Sequence, residues 1–80
     1  MYFVYFLRSI NNPNQTYIGF TTDIDQRLNC HNAAGSVHTA RYKPWIMVTY
    51  VAFDSEEKAR NFEQYVKVGS GNAWAKKRLW

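Results

Sequence analysis

Apolar and aromatic positions fall into three short runs separated by turn residues. The first, Tyr2 to Arg8, and the second, about Thr16 to Phe20, are rich in aromatic and β-branched side chains, and Asn11, Asn12, Pro13 and Asn14 supply turn chemistry between them. The pattern predicts a β-hairpin. The third run, about Trp45 to Phe53, has apolar residues on both alternations: Trp45, Met47 and Val51 on one, Ile46, Val48 and Tyr50 on the other. Such a run predicts a strand buried on both faces, in a sheet covered by helices.

Between and after these runs the spacing turns helical. Thr22, with Asp25 three residues later, has the form of a capping box, and predicts a helix to about Asn32 with Ile24 and Leu28 as its buried edge. A second helix is expected from Asp54 or Ser55, where Asp54 and Glu57 repeat the capping spacing, until Gly69, a natural left-handed stop. A short third helix from about Asn72 carries Trp74, Lys76, Lys77 and Arg78. The element order β-β-α-β-α-α describes an α/β chain of the α+β kind: a three-stranded antiparallel sheet flanked by about three helices. Residues 33–44 are expected to form a long loop carrying His38, Arg41 and Lys43, a candidate binding element.

Composition narrows this further. Eighty residues suit a single domain over 1–80, and an aromatic content of 18% offers enough large side chains for a core without staples. The lone cysteine, Cys30, excludes an intrachain disulfide and a thiolate-rich zinc site, which fits a reducing, cytoplasmic setting. The apolar run from Tyr2 to Leu7 ends at Arg8, too short for a membrane span and without the basic start of a signal peptide, so no membrane association is expected. A net charge of +4 favours polyanionic partners.

Five of the six acids, Asp23, Asp25, Asp54, Glu56 and Glu57, fall in the first turn of a predicted helix, where negative charge complements the helix dipole. Glu63 does not. It sits mid-helix beside the stripe formed by Ala59, Phe62 and Val66. A carboxylate there calls for a metal ion, a basic side chain or several hydrogen-bond donors. A single carboxylate with open positions suits Mg²⁺, which keeps several waters. Arg27 and His31 are one helical turn apart and share a face, so they can act on one atom or merely line a solvated surface. Tyr5 and Tyr17, on the paired strands, are by default core aromatics with hydroxyls at the edge.

In chain order these residues read Phe3-Val4-Tyr5, then Tyr17-Ile18-Gly19, Thr21, Thr22, Arg27, His31 and finally Glu63. The ordered set resembles the GIY-YIG nuclease family over essentially the whole chain, and is most similar to its small stand-alone members. The resemblance implies that Tyr5 and Tyr17 flank the attacking water. It makes Arg27 the ligand of the scissile phosphate, His31 a helper in proton transfer, and Glu63 the single ligand of a Mg²⁺ or Mn²⁺ ion. Gly19 would be the small residue permitting close approach. Phe3 stands where the family name calls for glycine. For the late asparagine that many members use near the phosphate, the candidates are Asn61 and, preferred, Asn72, which would otherwise serve as N-cap of the last helix.

The expected activity is metal-dependent hydrolysis of DNA phosphodiester bonds, with a catalytically inactive DNA-binding module of the same fold as the alternative. A tyrosine, Tyr17 or Tyr5, would contact the water, its pKa lowered by Arg27 and the metal, with His31 orienting it or acting as the base. DNA would be held by Arg8, Arg41, Lys43, Lys67, Lys76, Lys77 and Arg78, with His38 and Thr39 near the scissile strand. Little in a chain this short could read a long base sequence, and Tyr42 or Trp74 could stack on unpaired bases, so single-stranded or branched DNA is the expected substrate of a monomer or weak dimer.

Overall fold

The computed structural model describes residues 1–33 and 37–80, without the side chains of Val37 and His38. Its elements are β1 (Tyr2–Ser9), β2 (Thr16–Thr21), α1 (Ile24–Ala33), α2 (Val37–Arg41), β3 (Trp45–Phe53), α3 (Glu56–Lys67) and α4 (Gly69–Arg78). The strands form one antiparallel sheet in the order β2-β1-β3. The hairpin turn is closed by Gln15 N–H donating to Asn12 O (2.8 Å) and Ser9 N–H donating to Gln15 O (3.0 Å).

The strand buried on both faces is β1, not β3. Val4, Tyr5, Phe6 and Leu7 in its middle are all buried, because β1 has a strand on each side and helices above and below. Val4 and Phe6 join Ala59 and Val66 of α3 and Ala75 of α4 in one cluster. Tyr5 and Leu7 join Trp45 in a second, flanked by Ile24 and Leu28 of α1 and by Tyr42 and Met47.

β3 is an edge strand, with Ile46 and Tyr50 exposed at 44% and 51%. Its apolar run on both alternations comes from a register shift. Phe6 pairs with Thr49 but Leu7 pairs with Met47, leaving Val48 as an extra residue. Such a bulge reverses the facing of every later side chain. Trp45 and Met47 therefore serve the α1 face, whereas Val51 and Phe53 serve the α3 face.

Helix boundaries differ from expectation where local hydrogen bonds compete. At α1 the N-cap is Asp23, whose Oδ1 accepts from Gln26 N–H (3.1 Å), while Thr21 Oγ1 accepts from Asp23 N–H (3.1 Å). Thr22 and Asp25 do not form the box. At α3, Ser55 is the cap and Asp54 pairs with Lys58 rather than capping with Glu57. Val68 is extended and ends α3 one residue before Gly69, whose φ of +57° opens α4, so the last helix begins three residues ahead of Asn72. A Cβ on Gly71 would lie 1.9 Å from the Tyr65 carbonyl oxygen, so the two helices meet backbone to backbone only with glycine there.

The long basic segment is not simply a loop, since it contains α2, a fourth helix. Asn32 ties the end of α1 to the sheet: its Oδ1 accepts from Trp45 N–H (2.6 Å) and its Nδ2 donates to Trp45 O (3.2 Å). Among the described residues, no helix is long and apolar enough to cross a membrane.

Candidate active site

Four of the five residues in the sequence pattern meet on the α1 face of the sheet. Tyr5 points from the centre of β1 across its partner Gly19 on β2. A Cβ at Gly19 would lie 2.4 Å from the Tyr5 hydroxyl and 2.9 Å from the Tyr17 ring, so only glycine leaves room for this arrangement. The Tyr5 hydroxyl then reaches His31 Nε2 at 2.9 Å, in a buried hydrogen bond between β1 and α1. Tyr17, partly exposed, has its ring 4.8 Å from the imidazole and 6.1 Å from the Tyr5 ring.

Burial decides the protonation states. Tyr5, 2% exposed, has its pKa raised well above the ordinary phenol value, first by desolvation and then by Tyr17 and Glu63, against the opposing pull of Arg27. Of the two tyrosines expected to be made more acidic by Arg27 and a metal, Tyr5 is shifted the other way by burial, because desolvation outweighs the guanidinium. His31, 5% exposed, has its pKa lowered by desolvation and then by Arg27. The pair is therefore a neutral imidazole against a protonated phenol at neutral pH. His31 Nδ1 is buried without a hydrogen-bond partner among the described residues, a costly feature that structural histidines seldom keep.

Arg27 stands one turn before His31 on α1, exposed, and in no ion pair among the described residues. It presents a free guanidinium beside the tyrosine–histidine pair. Glu63 belongs to the other face of the sheet. Its side chain is 17% exposed, and Lys67 one turn later holds its Oε2 at 2.9 Å. The helix runs along β2, with the Arg60 guanidinium 4.1 Å from the Phe20 ring, and the Glu63 charge is among those acting on Tyr5. The basic partner for Glu63 is thus present, but on a flexible side chain, 46% exposed, that can be displaced. Among the described residues no three His, Cys, Asp or Glu side chains group as metal ligands. A lone, largely withdrawn carboxylate is a donor set that fits Mg²⁺ or Mn²⁺ completed by water and substrate phosphate.

The wider set of expected DNA contacts is divided. Arg41, Lys43, Lys76, Lys77 and Arg78 are exposed. Arg8 is partly buried over the Trp80 ring. Thr39 is a correction: it is completely buried, in α2, where its carbonyl accepts from Trp45 Nε1 (2.7 Å), so it cannot line a DNA strand. Lys67 is engaged by Glu63. Asn72 is neither an N-cap nor free, because it lies within α4 and donates through Nδ2 to Val66 O (3.3 Å). His38 has a side chain outside the described residues. Tyr42 packs into the second core cluster, whereas Trp74 is 38% exposed. Phe3 packs edge-on against Tyr50 at 5.6 Å. Sequence reasoning missed the Asn32 clamp, since an asparagine in a last helical turn announces no long-range partner.

The family model described as the GIY-YIG catalytic domain matches residues 1–77. The structure-specific endonuclease subunit SLX1 of Malassezia globosa is 43% identical over 67 residues, covering 79% of this chain and 15% of that protein. SLX1 of Mycosarcoma maydis is 39% identical over 82 residues, covering 98% and 11%. The chain thus spans only a small part of these relatives' length. A UPF0213 protein of Streptococcus pyogenes is 40% identical over 52 residues, covering 64% of this chain and 56% of that one. The solution NMR structure of a UPF0213 protein from Bacillus halodurans aligns with a TM-score of 0.56 at 28% identity, covering 99% of this chain and 87% of that chain. With the family's motif residues in order, its sheet and helices in place, and a match across nearly its full length, this chain belongs to the GIY-YIG family.

Proposed function

We propose that the chain is a divalent-metal-dependent DNA endonuclease in which Tyr5, Tyr17, Arg27, His31 and Glu63 form the active site. The observation that carries this reading is the buried Tyr5–His31 pair, with Arg27, in no ion pair among the described residues, beside it and the largely withdrawn Glu63 carboxylate acting on Tyr5 from α3. A merely structural tyrosine–histidine bond does not need the free guanidinium beside it.

Hydrolysis of a phosphodiester needs a held phosphate, a deprotonated water and a neutralised leaving oxygen. Arg27 offers fixed, always-charged donors to the non-bridging oxygens and strengthens its hold as charge grows on them. Tyr5, kept protonated, is not the base; it fixes the imidazole through its hydrogen bond. Tyr17, the partly exposed member of the cluster, touches the attacking water. His31, kept neutral with its Nε2–H donating to the Tyr5 oxygen, receives the proton at Nδ1, the ring nitrogen without a hydrogen-bond partner among the described residues. Glu63 would hold the Mg²⁺ or Mn²⁺ ion, exchanging Lys67 for it. When bound, the metal supplies charge stabilisation at the phosphate and leaving oxygen.

The substrate class follows from what the surface offers: exposed cations and exposed aromatic side chains, with no dedicated groove-reading element among the described residues. Low sequence specificity, with preference for single-stranded or branched DNA, is the reading this supports. The names of the SLX1 relatives, structure-specific endonuclease subunits, point the same way. The setting proposed is the cytoplasm, and the working unit a monomer or weak dimer. Incubation with labelled single-stranded, duplex and branched DNA, with Mg²⁺ or Mn²⁺ and with chelator, tests the proposal. Metal-dependent cleavage favouring unpaired or branched substrates is expected; binding without cleavage under every metal condition would leave the inactive DNA-binding alternative instead.

A further inference from the structure

One hollow lies outside the cluster just described. It has a volume of about 320 Å³ and is lined by Arg8 of β1, Pro13 and Asn14 of the hairpin turn, Thr16 of β2, Lys76 of α4, and Trp80. Its lining contains two cationic side chains and no acidic side chain. The Arg8 guanidinium lies 5.7 Å from the Trp80 ring centre and donates through one nitrogen to a main-chain oxygen of Trp80 at 3.4 Å, a long bond that leaves most of its donors free. Trp80 is itself braced edge-on against Phe6 at 5.3 Å, so the arginine rests on a fixed support. Lys76 is exposed and forms no ion pair among the described residues, unlike Lys58, Arg60 and Lys67, each of which holds a carboxylate. The Thr16 hydroxyl and Asn14 amide add neutral hydrogen-bonding groups.

An arginine fork, a lysine and a hydroxyl around a hollow open to water form a receptor for a phosphate group. Its position adds the second half of the argument. Thr16 pairs with Arg8 and directly precedes Tyr17 in β2, so the hollow begins one residue, about 3.8 Å along the backbone, from the active-site tyrosine. It shares the α3 and α4 side of the sheet with Glu63. On the DNA-cleaving reading, a strand held by Arg27 and Glu63 would have to pass the β2 edge, where this hollow opens.

We propose that the Arg8–Lys76 hollow is a second phosphate subsite, which grips a backbone phosphate of the substrate strand flanking the one that is cut. This rests on the DNA-cleaving reading above and deepens it. The subsite fixes the direction in which the strand crosses the active site, without reading bases.

The test is binding rather than cleavage. A labelled single-stranded oligonucleotide is titrated by fluorescence anisotropy, across a range of salt, against the full chain carrying Glu63→Gln. On this parent, Lys76→Gln and Arg8→Gln each raise Kd on the order of tenfold and lower the salt slope of log K by about 0.7. Lys58→Gln removes the same charge from a lysine already paired with Asp54 and leaves both quantities near the parent values. Arg8 supports Trp80, so if Arg8→Gln fails to fold, the exposed Lys76→Gln alone decides the matter. Equal effects from Lys58→Gln and Lys76→Gln, or no effect from Lys76→Gln, overturn the subsite while leaving the nuclease reading standing. Inorganic phosphate is the competing arm. It displaces the oligonucleotide only at far higher concentration if the hollow belongs to a strand, and displacement at comparable concentration would assign the hollow to free phosphate and overturn the proposal. A parent that binds no DNA overturns both readings together.

Discussion

The two faces of the sheet are built from the same strand and do opposite things. On the side of α3 and α4, Val4 and Phe6 meet Ala59, Val66 and Ala75 in an apolar cluster. On the side of α1, the alternate residues Tyr5 and Leu7 meet a tyrosine, a histidine and an arginine-bearing helix. One strand in the middle of the sheet packs the apolar cluster with its even residues and presents the Tyr5 hydroxyl to α1 on its odd side. Tyr5 is therefore doubly constrained: its ring is buried in the core and its hydroxyl is bonded to His31 in the proposed site. Glu63 is the exception, belonging by backbone to the apolar side and by charge to the other.

The comparison breaks most visibly at its apolar half. Phe6→Ala removes a fully buried ring and is expected to cost about 3–5 kcal/mol, read by thermal or urea denaturation; a loss under 1 kcal/mol would show that the α3 face does not carry the fold. Gly19→Ala should come next, at about 1–3 kcal/mol from overpacking against Tyr5, with cleavage lost as the hydroxyl leaves His31. Tyr5→Phe keeps the ring and deletes only the hydroxyl, leaving His31 Nε2 without its partner. A stability loss of about 1–3 kcal/mol is expected, with the imidazole NMR resonances shifted.

The protonation state of His31 gives a subtler test. Its folded pKa lies below the unfolded value of about 6.5, so between the two the unfolded chain binds the extra proton. Stability should hold steady above about pH 6.5 and fall as the pH drops through that window. His31→Gln should flatten the dependence there, and an unchanged slope would mean that His31 is not held neutral. The smallest effect belongs to Lys67→Ala. Its pair with Glu63 has a half-exposed lysine, so only a few tenths of a kcal/mol should be lost in a denaturation curve.

Most of the architecture was legible because it rests on local patterns. The hairpin, the third strand and the helices α1 and α3 follow from turn residues, alternation and the 3.6-residue stripe, and the family from the order of its motif residues along the chain. What escaped was set by contacts distant in sequence. The bulge at Val48 made an edge strand read as doubly buried, since an apolar run does not reveal that its facing reverses midway. The burial of Thr39 depends on Trp45 reaching back to α2. Tyr17 or Tyr5 was expected to be made more acidic by Arg27 and a metal, and for Tyr5 only the burial of its ring shows why the shift goes upward. At the helix starts, Asp23 displaced Thr22 because Thr21 was already committed to the Asp23 N–H.

In the proposed site, the α1 face and Glu63 together do chemistry that the fold does not need. Single-turnover cleavage of a branched, labelled DNA in Mg²⁺ by wild type, Arg27→Ala and Glu63→Gln, with the melting temperature of each, tests it most directly. Both variants are expected to melt close to wild type, since Arg27 is exposed and Glu63 keeps its shape as glutamine, and to cut about 10²- to 10³-fold more slowly. Wild-type cleavage rates in both folded variants would contradict it.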